Sequence, residues 1–169
     1  MTNAFPHVDI AVLVTGGTLD KVHDTETESL IFSDDPDTHV TQLLNTARCY
    51  FPRVEILFKI DSLDMTDAHR QQILTRIIAS PETHIVVTHG TGTIEQTAKF
   101  LSGKTGSKTV ILTGAMRPFS LGRSDGGFNM GGAMIAVQVL PKGVYGVING
   151  RVFHAEDLHK DTKLGRFDV

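Results

Sequence analysis

Two short stretches of the sequence combine hydroxyl side chains with glycines, and such a combination can bind and attack a small polar ligand. Residues 15–18 (TGGT) follow one apolar run, and residues 88–93 (THGTGT) follow another. Glycine lets the backbone turn sharply and approach a ligand closely. A threonine hydroxyl attacks a carbonyl when a base takes its proton, which makes Thr18 a candidate nucleophile. Taken alone, however, the first stretch is better explained as a glycine turn whose threonine caps a helix.

The second stretch is a poor match to a phosphate-binding loop. It does not have the form GxxxxGK[ST], and no lysine follows Thr93. Its three threonines could hold a small polar ligand while Thr93 begins a helix. We expect His89 to be a packed or hydrogen-bonded histidine at a strand end, because no second metal ligand has the right spacing.

Both stretches lie at the ends of predicted strands in an alternating pattern of strands and helices. Strands are predicted over residues 8–14, 54–60, 84–88, 108–113 and 145–148, and helices over residues 38–49, 66–79, 93–102 and 126–140. In the second helix Ile73, Leu74, Ile77 and Ile78 follow the spacing of an amphipathic helix, and Thr66 is its predicted N-cap. The alternation predicts an α/β fold with a doubly wound, mostly parallel sheet of flavodoxin or Rossmann type.

This fold class indicates where a ligand would bind. On open parallel sheets, ligands lie at the carboxyl ends of the strands. The first four predicted strands run into residues 15–18, 61–65, 88–93 and 113–118, which carry hydroxyls, glycines or carboxylates. We therefore expect these four strand exits to converge on one edge.

Composition sets the protein class. The 169 residues predict one domain, and a net charge of -3 argues against a nucleic-acid-binding or polybasic membrane-binding protein. The single cysteine, Cys49, cannot form an internal disulfide, and no Cys/His spacing suggests zinc. There is no apolar run of the ~18 residues that cross a membrane. Residues 1–9 lack the charged and apolar regions of a secretory leader, so we expect none. We expect a cytoplasmic enzyme or ligand-binding domain.

Residues 21–37 form a long polar and acidic connection, interrupted only by residues 30–32 (LIF). Connections of this length in a compact domain are usually functional or mobile. Two interpretations stay open, a solvated hairpin and a mobile hairpin lid that closes over the pocket.

Five motifs together resemble signatures of the bacterial-type L-asparaginase family, in the family's order and spacing. They are residues 15–19 (TGGTL), 61–65 (DSLDM), 88–93 (THGTGT), 112–118 (LTGAMRP) and 124–129 (SDGGFN). The resemblance covers nearly the whole chain, but only the amino-terminal domain of the family. Most members continue with a second, smaller α/β domain, so we expect a short asparaginase with one domain over residues 1–169.

The resemblance implies three catalytic residues. Thr18 matches the threonine that attacks the side-chain amide and forms an acyl-enzyme, and Thr91 matches the second catalytic threonine. Lys160 matches the lysine that works with Thr91 as proton acceptor, with Lys163 as a nearby alternative. A partly desolvated lysine has a lowered pKa, which suits it to accept a proton.

The resemblance also implies the residues that bind the substrate. Ser62 would hold the α-carboxylate, and the backbone carbonyl of Ala115 would receive the leaving amide nitrogen. Backbone N–H groups at the glycine turns, around Gly17 and Gly90, would stabilise the oxyanion. Gly92 occupies the position that faces the substrate's α-ammonium.

The sequence departs from the family pattern at three places. Gly92 stands where the family has an aspartate that contacts the α-ammonium, and this loss removes a contact of roughly 1.5–3 kcal/mol. Leu63 stands where many members have a polar residue. The lid lacks the family's tyrosine, since the only tyrosines are Tyr50 and Tyr145, and His23 is a weak substitute.

Two candidate functions follow from these residues. The first is hydrolysis of L-asparagine to L-aspartate and ammonia, without metal or organic cofactor. The alternative is an asparaginase-like module that binds aspartate or asparagine and turns it over slowly or not at all. The family further implies a homodimer or homotetramer. It also includes subunits of a tRNA-dependent amidotransferase, but the sequence shows no basic surface that would favour that role.

Overall fold

The structure is a computed structural model that describes residues 6–167. Its strands are β1 (Ile10–Gly16), β2 (Lys21–His23), β3 (Leu30–Phe32), β4 (Arg53–Ile60), β5 (His84–Thr88), β6 (Thr109–Thr113), β7 (Gly143–Ile148) and β8 (Arg151–His154). Its α-helices are α1 (His39–Thr46), α2 (Asp67–Ala79), α3 (Ile94–Leu101) and α4 (Gly126–Val139). Short 3₁₀ turns follow β1, β4 and β6.

The central sheet has six strands in the order β4-β1-β5-β6-β7-β8. The first five run parallel, and β8 pairs antiparallel with β7. This confirms the predicted mostly parallel α/β sheet. The sequence-based prediction missed β8, because only Phe153 of its four side chains is buried and no apolar run marks the strand.

Alternate side chains of the strands build two apolar layers, one on each face of the sheet. Along β1, Ala11 and Leu13 pack toward α2 and α3, whereas Val12 and Val14 pack toward α1 and α4. Strands buried on both faces are apolar throughout, which explains why continuous β-branched runs predicted them well.

The predicted helices are present, with small differences. α1 ends at Thr46 rather than at Cys49, because Arg48 takes a left-handed conformation with φ of 55°. Thr66 is the N-cap of α2, as predicted. Ile78, expected on the buried face of α2, is instead 58% exposed, since it lies about 100° around the helix from the buried Ile77.

The strand order changes direction at β1. The chain passes from β1 to β4 on one side and then to β5 on the other. For the five parallel strands this is the flavodoxin-like order, in which a ligand crevice opens outside the carboxyl end of the first strand. The fold therefore locates the expected site at the exits of β1, β4 and β5.

The polar connection after β1 forms an antiparallel hairpin of β2 and β3, with Lys21 paired to Phe32. Its two ends are tied together by Asp20, whose buried carboxylate accepts hydrogen bonds from the Thr38 hydroxyl at 2.7 Å and from the His39 N–H at 2.7 Å. Whether the hairpin moves and covers a ligand stays a prediction.

Among the helices of residues 6–167, none has both the length and the apolar character needed to cross a membrane.

Candidate active site

The exits of β1, β4 and β5 surround a cavity of about 190 Å³. Its lining consists of Gly17, Thr18, Asp61, Ser62, Leu63, Gly90, Thr91, Gly92 and Lys160. The structure thus brings together all the predicted site residues except Ala115. Ala115 is buried just beyond the end of β6, at the same edge of the sheet, but it does not line this cavity.

Glycines let the three exits pack against one another. Gly17 has φ of 81°, and a Cβ there would lie 2.4 Å from the backbone nitrogen of Gly90. A Cβ on Gly90 would in turn lie 2.5 Å from Ser62 Oγ. Larger residues would push the loops apart, so these two glycines allow the hydroxyls of the site to share one cavity.

Thr18 begins the 3₁₀ turn that follows β1 and is half-buried. Within residues 6–167 its hydroxyl has no hydrogen-bond partner. The side chain lines the cavity, so the hydroxyl is available to a bound ligand.

Thr91 is held from two sides. Lys160 Nζ donates to Thr91 Oγ1 at 3.0 Å, and Thr91 Oγ1 donates to Met116 Sδ at 3.3 Å. Burial lowers the pKa of Lys160 from its ordinary value, because desolvation penalises the ammonium. The neutral amine is therefore populated at lower pH than in an exposed lysine. Lys163, the alternative, is exposed and does not line the cavity.

Gly92 and Leu63, two of the positions that depart from the family pattern, are neighbours in the cavity wall. A Cβ on Gly92 would lie 3.0 Å from Leu63 Cδ2 and 3.1 Å from Ser62 Oγ. Leu63 therefore lies over Gly92 and gives this wall an apolar surface. Leu63 is 76% exposed, so it has room to move aside for a larger residue at position 92. The φ of Gly92 is outside the left-handed region, so its backbone accepts other residues.

Asp61 is a charged residue of the cavity that sequence reasoning did not place in the site. Its carboxylate accepts a hydrogen bond from the Leu63 N–H at 2.9 Å and pairs with the Lys21 ammonium. The Lys21 contact, followed by that backbone bond, holds the pKa of Asp61 below its usual range. Because Lys21 is the first residue of β2, this pair links the base of the hairpin to the cavity.

His89 is a structural residue, as predicted. It is completely buried, with Nδ1 2.8 Å from the Gly90 carbonyl oxygen and Nε2 2.8 Å from Thr97 Oγ1. Burial lowers the pKa of His89 to about 4, so it is neutral at pH 7. Residues 6–167 contain no group of three or more His, Cys, Asp or Glu side chains placed to hold a metal ion.

The side chains considered as replacements for a lid tyrosine lie elsewhere. His23 is exposed on the hairpin, Tyr50 is exposed after α1, and Tyr145 is buried in β7. None of the three lines the cavity.

The motif at residues 124–129 fixes the loop after β6. The Asp125 carboxylate accepts hydrogen bonds from the N–H groups of Met116 at 2.9 Å and Arg117 at 3.0 Å. Asn129 Nδ2 donates to the Gly114 carbonyl at 2.9 Å. These bonds hold Met116 where it meets Thr91, so the motif supports the site without lining it.

Fold and site together define a doubly wound α/β protein with a threonine- and lysine-containing cavity at its topological switch point. The family model described as "Asparaginase, N-terminal" matches residues 9–166. The chain belongs to the asparaginase family and corresponds to its amino-terminal domain, as the motifs predicted.

Individual relatives agree with this assignment. The chain is 30% identical to "Probable L-asparaginase periplasmic" of Haemophilus influenzae, over 96% of this chain and 49% of that protein. It is 31% identical to "L-asparaginase 2" of Escherichia coli, over 95% of this chain and 48% of that protein. It is also 26% identical to "Glutaminase-asparaginase" of Acinetobacter glutaminasificans, over 92% of this chain and 50% of that protein.

Solved structures give the same picture. L-asparaginase I of Vibrio cholerae superposes with a TM-score of 0.80 at 26% identity, over 96% of this chain and 51% of that one. "Probable Cytoplasmic L-asparaginase" of Campylobacter jejuni superposes with a TM-score of 0.76 at 30% identity, over 91% of this chain and 50% of that one. The chain spans about half the length of these relatives. That residues 1–169 act as a single domain stays a prediction.

Proposed function

We propose that this chain hydrolyses the side-chain amide of L-asparagine and releases L-aspartate and ammonia through an acyl-enzyme on Thr18. The observation that carries the proposal is the hydrogen bond between Lys160 Nζ and Thr91 Oγ1 in the cavity that Thr18 lines. A desolvated amine beside a hydroxyl is suited to accept a proton.

In the first step the Thr18 oxygen attacks the amide carbon, and its proton passes through the Thr91 hydroxyl to the neutral amine of Lys160, which returns it to the leaving nitrogen. The backbone N–H groups around Gly17 and Gly90 stabilise the negative oxygen that forms. The carbon–nitrogen bond then breaks, the nitrogen takes a proton, and ammonia leaves an ester on Thr18. Ser62 holds the α-carboxylate. The family resemblance gives the hydrogen bond from the leaving nitrogen to the carbonyl of Ala115, which lies at the same edge of the sheet but outside the cavity lining.

In the second step a water molecule attacks the ester and frees aspartate. Lys160, through Thr91, accepts the proton of this water, and the Thr18 oxygen recovers a proton as it leaves. The pair therefore serves both steps, and burial, by lowering the pKa of Lys160, makes the neutral amine available at lower pH than in an exposed lysine.

The proposal is tested by measuring ammonia release from L-asparagine. We expect turnover by the unmodified chain and none by Thr18→Ala. Thr75→Ala is the matched control, because Thr75 is an exposed threonine on α2, away from the cavity. Absence of ammonia release from the unmodified chain, or undiminished release from Thr18→Ala, would overturn the proposal.

A second candidate function is favoured by the apolar wall of Leu63 and Gly92. Asp61 is the one carboxylate in the cavity lining, and it is paired with Lys21. A site with weak attraction for the α-ammonium would bind aspartate or asparagine without turning it over efficiently. Calorimetric binding of aspartate, combined with absent ammonia release, would favour this alternative.

The cytoplasmic location and the homodimer or homotetramer belong to the same proposal. Light scattering measures the mass in solution, and a monomer at working concentration would contradict the oligomer.

A further inference from the structure

Lys160 lies in a segment without regular structure that follows β8, so its position against Thr91 needs support from elsewhere. One support is apolar. Leu158 is completely buried, and a Cβ on Gly146 of β7 would lie 2.6 Å from Leu158 Cδ1. This contact fixes the backbone two residues before Lys160, but it leaves the direction of the Lys160 side chain unset.

The second support is polar and comes from Glu95. Its Oε2 lies 3.0 Å from His159 Nδ1 and accepts a longer hydrogen bond of 3.4 Å from the Lys160 backbone N–H. Glu95 is in the first turn of α3, only four residues after Thr91. The helix that follows Thr91 is therefore bonded directly to the backbone that carries Lys160.

We propose that Glu95 is a positioning residue, whose carboxylate clamps residues 159 and 160 to α3 and so holds the Lys160 amine against Thr91. The inference rests on the proposed function, in which Lys160 accepts a proton. The neighbouring carboxylate, Asp161, has a separate task, since it accepts hydrogen bonds from the N–H groups of Lys163 and Leu164.

A Glu95–His159 contact that only stabilised the fold and one that positions Lys160 would respond differently to loss of the Glu95 carboxylate. The His159 side chain is 74% exposed, and exposed ion pairs contribute little to folding stability. Losing Glu95 should therefore leave the unfolding midpoint nearly unchanged. It should nevertheless release Lys160 from Thr91, because no other side-chain hydrogen bond to the Lys160 backbone is present in residues 6–167.

The kinetic test compares Glu95→Ala with Glu95→Gln. We expect Glu95→Ala to lower kcat about ten- to hundredfold, with KM changed less than threefold, because a small misplacement of a reacting group has effects of this size. Glu95→Gln should stay within about threefold of the unmodified chain, since the amide oxygen accepts the same hydrogen bonds.

Glu156→Ala is the matched control. Glu156 is an exposed carboxylate in the same segment, but it accepts a hydrogen bond from Ser102 rather than from the Lys160 backbone. It should leave kcat unchanged. Equal losses in Glu95→Ala and Glu95→Gln, or a kcat of Glu95→Ala within twofold of the unmodified value, would overturn the clamp.

A second measurement decides the question without turnover. The pKa of Lys160 is followed by NMR of its side chain, with Lys160→Met identifying the signal. In Glu95→Ala the freed amine enters water, so its pKa should rise toward that of an ordinary lysine, whereas Glu95→Gln and Glu156→Ala should keep the lowered pKa. An unchanged pKa in Glu95→Ala would overturn the clamp, and an inactive unmodified chain would overturn only the proposed function.

Discussion

Thr18 and Thr91 follow neighbouring strands of the sheet and line the same cavity, but their surroundings differ. Thr91 is buried and bonded to Lys160 and Met116. Thr18 is half-buried and its hydroxyl is unpartnered within residues 6–167. The polar hairpin of β2 and β3 begins three residues later, at Lys21. The part of the site that the proposal assigns to proton transfer is thus already hydrogen-bonded, while the part that it assigns to the nucleophile borders the hairpin.

This difference has a physical origin. The exit of β5 leads into α3 after five residues, and its buried His89 is hydrogen-bonded to the Gly90 carbonyl and to Thr97 of α3, which fixes the backbone there. The exit of β1 runs into a connection with few apolar contacts, and such regions open at low free energy. A bound ligand is therefore expected to order the Thr18 side more than the Thr91 side.

The largest expected effect comes from removing the Thr18 hydroxyl. Thr18→Ala should lower kcat for asparagine by about a thousandfold or more, because loss of a nucleophile leaves only binding and oxyanion stabilisation. The free energy of unfolding should stay within about 0.5 kcal/mol, since the side chain is half-buried and makes no hydrogen bond. Ammonia release and urea unfolding measure the two quantities. Persistent turnover would transfer the role of nucleophile to Thr91.

Removing the amine beside Thr91 should have the next largest effect. Lys160→Met should lower kcat about a hundred- to a thousandfold, as expected for loss of a general base. In the unmodified chain, activity should rise with pH through the pKa of Lys160, which lies below that of an ordinary lysine. A pH–rate profile of both proteins checks this, with Lys163→Met as control. Equal losses in both lysine variants would contradict the assignment of Lys160.

Introducing a carboxylate at position 92, directly after Thr91, should have an intermediate effect. Gly92→Asp should raise kcat/KM for asparagine roughly ten- to hundredfold, equivalent to a charge-assisted contact of about 1.5–3 kcal/mol. The Cβ alone would lie 3.0 Å from Leu63 Cδ2 and 3.1 Å from Ser62 Oγ, so the exposed Leu63 must move aside for the aspartate side chain.

The control for that variant is the substrate. An N-acylated asparagine lacks the α-ammonium, so it should gain much less from Gly92→Asp. If the variant folds normally and neither binds nor hydrolyses asparagine better, the binding-module alternative is preferred.

The smallest effect concerns motion and involves no change of sequence. In the ligand-free protein, amide hydrogens of residues 21–32 should exchange much faster than those of α3, because the hairpin has few apolar contacts. Adding aspartate should slow exchange in the hairpin and leave α3 unaffected. If the hairpin amides exchanged as slowly as those of α3 in the ligand-free protein, the proposed difference in mobility between the Thr18 and Thr91 sides would be wrong.

The parallel strands could be predicted from the sequence, because strands such as β5 and β6 are buried on both faces and are therefore continuous apolar runs. The sequence-based prediction missed β8, which buries one side chain. It predicted a hairpin in the polar connection after β1 but not the bounds of its two short strands. Convergence of Thr18, Ser62 and Thr91 followed from the rule for strand exits. Lys160 could be placed only by family resemblance, because it lies on irregular backbone 69 residues from Thr91.

The contacts around the site were harder to predict for a related reason. Glu95 and His159 are 64 residues apart, and Lys21 and Asp61 are 40 apart. Neither pair belongs to a local pattern, so only the folded chain brings them together. The end of α1 is set by the left-handed backbone of Arg48. Ile78 is exposed because of its angular position on α2, which the presence of an apolar side chain does not reveal.

The buried carboxylate of Asp20 has a consequence for how this domain can change. Because Asp20 is hydrogen-bonded to Thr38 and His39, the two ends of the connection between β1 and α1 lie next to each other. The residues between them form a loop with fixed ends. Doubling the length of a flexible loop with joined ends adds only about 0.6 kcal/mol of closure entropy. Connections of different length can therefore be accommodated between Asp20 and Thr38, while the sheet and the Thr91–Lys160 pair stay as they are.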